Sequence, residues 1–89
     1  MKRTEYTQKW LDALRSGEYE QGTEHLYKDG KYCCLGVALE VMNGFPTGYG
    51  DLTTKLRTDL DERSALIKMN DQQGKSFPEI ADAIEAMIE

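Results

Sequence analysis

Apolar residues recur along the chain at spacings that change from segment to segment, and each change marks an element. Tyr6, Trp10, Leu11 and Leu14 stand three or four positions apart, on one face of a helix. Thr4 is a suitable N-cap, and Gly17 sits where a left-handed residue closes a helix, so the first helix is expected over 5–16. The run Glu18-Tyr19-Glu20-Gln21-Gly22 reads as a connector.

Alternation then replaces helical spacing. Segments 24–28 and 31–33 flank Asp29-Gly30, the pair preferred in a two-residue type I′ hairpin turn. That turn sets Lys28 opposite Lys31, Tyr27 opposite Tyr32 and Leu26 opposite Cys33, and extends toward a His25–Cys34 pair. A cross-strand tyrosine pair contributes a few tenths to about 1 kcal/mol. An isolated hairpin is marginal, so this one is expected to lie on helices or on a second copy of itself.

From Cys34 to Met42 only Glu40 is polar, which predicts a helix buried on nearly every side. Gly36 within it is expected to admit a neighbouring backbone, with Asn43-Gly44 and Pro46 as the stop. Phe45 to Asp51 holds Pro46, Gly48 and Gly50 and reads as a surface loop. Leu52, Leu56 and Leu60, followed by Ala65-Leu66-Ile67, predict a helix from about 53 to 69 with a break near Asp61, then a turn over 70–75. Ser76-Phe77-Pro78-Glu79 is a capping box with proline in the first turn. Phe77, Ile80, Ala81, Ile84, Met87 and Ile88 make the stripe of the last helix, with Glu79, Asp82, Glu85 and Glu89 facing water. The expected fold is therefore helix-dominated α+β: about four helices, with one β-hairpin between helix 1 and the buried helix 2, in a single domain over 1–89.

Composition narrows the classes. The chain has 89 residues and a net charge of −5, of which residues 1–45 carry −1 and residues 46–89 carry −4. There is no basic footprint for nucleic acid and no polybasic membrane patch. A partner selected by charge is expected to be neutral or basic. No apolar run reaches the roughly 20 residues of a membrane span, and Met1-Lys2-Arg3-Thr4 leads into no leader-like apolar stretch. The adjacent cysteines Cys33 and Cys34 favour a reducing cytoplasm over a disulfide scaffold.

Catalytic patterns are sparse. Gly74-Lys75-Ser76 ends like a phosphate loop, but Met69 occupies the position of the first glycine. One histidine and two neighbouring cysteines do not supply spaced zinc ligands, and no cofactor is expected. Cys33 or Cys34, at the start of the buried helix, is a candidate thiol nucleophile if the hairpin brings His25 beside it. The alternative is that both cysteines pack as small hydrophobes and His25 is an exposed strand residue. Arg15, Gln21, Tyr27, Tyr32 and Asn70 are the candidate binding residues: a cation, hydrogen-bonding amides and stacking rings.

The segment Trp10 to Gly22, followed by Tyr32-Cys33-Cys34-Leu35-Gly36-Val37, resembles a group of short, uncharacterised proteins of tailed phages and prophages. Met69-Asn70-Asp71 and the run Ser76 to Glu85 are similar to the same group. Many of those relatives carry a longer insert where this chain has only Phe45 to Leu60, so a function housed in that insert is not carried over. The resemblance implies phage origin and action in the host cytoplasm. The expected function is that of a non-enzymatic accessory protein that binds, and inhibits, a host protein, with anti-defence action as one form. The first alternative is a protein that sequesters a small ligand or nucleotide signal as a homo-oligomer, and the second is a cysteine-dependent enzyme.

Overall fold

The computed structural model describes residues 1–43 and 56–88. The first helix, α1 (Glu5–Ser16), begins where Thr4 accepts a hydrogen bond from the Tyr6 amide and the Thr4 amide bonds the Thr7 hydroxyl. It ends at Gly17, whose φ of 80° is the left-handed conformation that a side chain disfavours. Trp10, Leu11 and Leu14 are buried on one face, as their spacing predicts.

A three-stranded sheet follows, built from β1 (Glu20–Gln21), β2 (Tyr27–Lys28) and β3 (Lys31–Tyr32), in the spatial order β1-β3-β2. β2 and β3 form the expected antiparallel hairpin in the expected register, Tyr27 with Tyr32 and Lys28 with Lys31. Asp29 and Gly30 both have positive φ, 54° and 81°, as a type I′ turn requires. The ladder is shorter than the segments 24–28 and 31–33 suggest. The Cys33 amide still donates to the Leu26 carbonyl at 3.3 Å, but Cys34 already starts a helix, so no His25–Cys34 pair forms. The connector contains a strand that local sequence does not announce: β1 runs parallel to β3, with Glu20 beside Lys31 and Gln21 beside Tyr32.

The second helix, α2 (Cys34–Asn43), is buried from Cys34 through Leu39. Its first turn is capped by sulfur, since the Gly36 amide donates to Cys33 Sγ at 3.4 Å. The Trp10 indole donates to the Cys34 carbonyl at 2.9 Å and so joins α1 to the start of α2. Gly36 lies against the backbone before the hairpin: a Cβ there would stand 1.8 Å from the Leu26 carbonyl oxygen. That is the close approach its position inside a helix predicts.

The third helix, α3 (Leu60–Asp71), corrects the expected span of 53–69. Residues 56–59 are not helical, Arg57 has a φ of 59°, and Asp59 caps the helix by accepting from the Glu62 amide at 2.7 Å. The repeated leucines misled because Leu56 is buried while Leu60 is 69% exposed, so they do not share a face. The helix also runs through Asn70 and Asp71, which shortens the expected turn. The fourth helix, α4 (Phe77–Met87), starts at the reciprocal Ser76–Glu79 box and buries Phe77, Ile80, Ala81 and Ile84. The predicted stop at Gly44 and Pro46, the loop to Asp51, Leu52 and Glu89 lie outside the described residues.

α2 packs on α1 and on α3, and α4 packs on both α1 and α3, which places the core between the helices. The described fold is helix-dominated α+β, with the small sheet between α1 and α2 in the chain and β3 against α2. No helix among the described residues is long and apolar enough to cross a membrane.

Candidate functional site

The two faces of the sheet differ chemically, because strand neighbours alternate. Tyr27 and Tyr32 share one face, their ring centroids 4.8 Å apart and tilted by 55°. Tyr19 meets Tyr32 edge to face at 5.2 Å. Tyr19 and Tyr32 are half-buried against the core, whereas Tyr27 is 44% exposed. Burial and the nearby Glu40 carboxylate raise the hydroxyl pKa of both Tyr19 and Tyr32, so the phenols are neutral donors at ordinary pH.

Gln21 and Asn70 come together, although 49 positions separate them in sequence. Gln21 Nε2 donates to Asn70 Oδ1 at 2.9 Å and to the Lys75 carbonyl at 2.8 Å. Asn70 Nδ2 donates to the Gly22 carbonyl at 2.8 Å and to Asp71 Oδ1 at 2.7 Å. Asn70 is buried, so these bonds meet the needs of amides that water does not reach. The pair is a clasp between β1 and the end of α3, and its donors are engaged within the protein.

Arg15 lies elsewhere. Its guanidinium bonds Asp82 at 2.8 Å and Glu85 at 2.6 Å, bridging the exposed faces of α1 and α4. These bonds raise its pKa, Glu85 contributing most.

The thiols face inward. Cys34 is fully buried, with Sγ 3.7 Å from the Leu66 carbonyl of α3. Burial pushes the Cys34 thiol far up. Cys33 is raised as well, burial outweighing the bonds from the Gly36 and Leu35 amides. His25 is exposed and precedes β2, outside the strands of the hairpin. The arrangement keeps both sulfurs protonated and supplies neither with an imidazole base. Among the described residues, no three His, Cys, Asp or Glu side chains are grouped around a space for a metal ion.

The unit formed by α1, the sheet and α2 coincides with the reach of the family comparison. Residues 1–43 are similar to a family described as Domain of unknown function (DUF8296). No curated protein and no solved structure matches the chain.

The second face of the sheet is not announced by local sequence. Lys28 and Lys31 line a groove of about 480 Å³ together with Asp29 and the segment from Gln21 to His25. The signal was present in the register, which sets two lysines directly opposite each other beside the turn. The segment that completes the groove depends on β1, which local sequence does not show.

Proposed function

We propose that this chain acts by binding a protein partner rather than by catalysis, through the tyrosine edge of its sheet. The observation that carries this reading is Tyr27: a large ring, 44% exposed, seated on Tyr32 and thereby on Tyr19 and the core. Aromatic side chains held in one orientation lose little freedom on association and dominate contact energies. The platform beneath is held by the Gly36–Leu26 contact and by the Gln21–Asn70 clasp. The protonated, base-free cysteines support a non-catalytic role. The phage-like blocks of the sequence support a host protein as the partner and inhibition as the outcome, with a defence factor as one such target.

The test is affinity capture from lysates of bacterial hosts with the wild-type chain and with Tyr27→Ala. The wild type is expected to retain a partner in stoichiometric amount. Removal of a central aromatic contact should weaken retention by about 2 kcal/mol or more, while loss of the tyrosine pair lowers the melting temperature by no more than about 8 °C and leaves the chain folded. Equal retention by Tyr27→Ala, or no partner across several hosts, would overturn the reading.

A further inference from the structure

The groove on the other face of the sheet points to a second, independent binding site. Lys28 and Lys31 are direct cross-strand partners, an arrangement that repels. Among the described residues neither lysine forms an ion pair, although Glu20 lies beside Lys31 in the register. An anion between the two ammonium groups removes that repulsion and meets two lysines that the carboxylates of Glu20, Glu24 and Asp29 leave unpaired. The segment after β1 is built close to this face. The Gly22 amide donates to the Tyr32 carbonyl at 2.8 Å, and a Cβ on Gly22 would stand 2.8 Å from Lys31 Cβ. Glu24 holds a φ of 69°, a conformation uncommon for a residue with a side chain. The groove is open to solvent, with a volume of about 480 Å³.

The groove is not uniformly basic, and this selects the ligand. Glu24 and Asp29 line it alongside the lysines. A bare polyanion meets repulsion from those carboxylates, whereas a molecule with phosphate at one end and hydroxyl or amino donors at the other satisfies both signs. His25 adds an exposed ring that can stack on a base. We propose that this groove binds a nucleoside phosphate, with the phosphate between Lys28 and Lys31 and the nucleoside donors against Glu24 and Asp29.

The test is titration of the full chain, labelled with nitrogen-15, with ADP, pyrophosphate and adenosine, followed by amide shifts and calorimetry. ADP is expected to bind saturably, with shifts concentrated over residues 21–31, and each half-ligand to bind at least about tenfold more weakly. Lys28→Ala/Lys31→Ala should weaken ADP by at least about tenfold, and its melting temperature should equal or exceed that of wild type, because the repulsion is gone. Tyr27→Ala should leave ADP binding unchanged, which separates this site from the protein-binding edge. No saturable ADP binding, pyrophosphate binding as tight as ADP, or undiminished binding by the double variant would each overturn the proposal.

Discussion

Gly36 is the residue on which the seating of the sheet depends most directly. Any side chain there drives a carbon to 1.8 Å from the Leu26 carbonyl oxygen, a backbone atom that cannot swing aside. Gly36→Ala gains helix propensity of about 1 kcal/mol, but the clash forces the hairpin off α2. The expected net loss is about 2–4 kcal/mol, measured by urea unfolding with Trp10 fluorescence as the probe. Cys34 sets a different dependence. Its folded-state pKa is raised by burial, so the folded chain keeps a proton that the unfolded chain releases above about pH 8.5. Its contribution to stability is therefore complete below that pH and lost progressively as pH rises, with Cys33 acting in the same direction. Urea unfolding at a series of pH values should show this fall, and Cys34→Ala should flatten it. Both native thiols should also resist alkylation until the chain unfolds.

At the scale of elements, the clasp between β1 and α3 offers the sharpest test of how the sheet is held. Asn70→Ala leaves the Gly22 carbonyl without its donor and removes one of the two acceptors of the Gln21 amide, which should cost about 1–3 kcal/mol. Gln21→Ala should cost less, because Gln21 is only half-buried, and the double variant should fall short of the sum. A double-mutant cycle by thermal unfolding reads this directly, and additive losses would show that the clasp is not a unit. The elements that sequence revealed are those whose signals are local. Thr4 with Gly17, Asp29-Gly30, and Ser76 with Glu79 each set a boundary within a few residues of themselves. β1 is hidden because two residues in a parallel pair leave no periodicity, and its partners lie at residues 31, 32, 70 and 75. The leucine spacing points to an earlier start for α3 than the one the helix takes, which is set by the local Asp59–Glu62 capping box. The candidate site divided in the same way. The Tyr27–Tyr32 pair followed from the turn, whereas the meeting of Gln21 with Asn70, and the separation of Arg15 from both, depend on how α3 and α4 return to the sheet.

At the scale of the molecule, the proposed surfaces lie on opposite faces of one sheet and share one support. The tyrosine edge rests on the core, and the lysine groove is closed by the segment that follows β1. Loss of the clasp is therefore expected to impair both, while Tyr27→Ala and the lysine substitutions each impair one. The strand order β1-β3-β2 adds a constraint on time. β2 and β3 are joined by two residues, and a hairpin of that kind closes in about 1–10 μs. β1 precedes both in the chain, yet it pairs only with β3, and the side chain that secures it lies 49 positions away. Closure of so long a loop awaits the docking of α3, so β1 should be the last strand to join. The Gly22 amide, bonded to the Tyr32 carbonyl, then becomes a clock for completed folding. Under native conditions its hydrogen should exchange through a local opening of lower free energy than global unfolding, and in pulse labelling during refolding it should gain protection after the Cys33 amide of the hairpin.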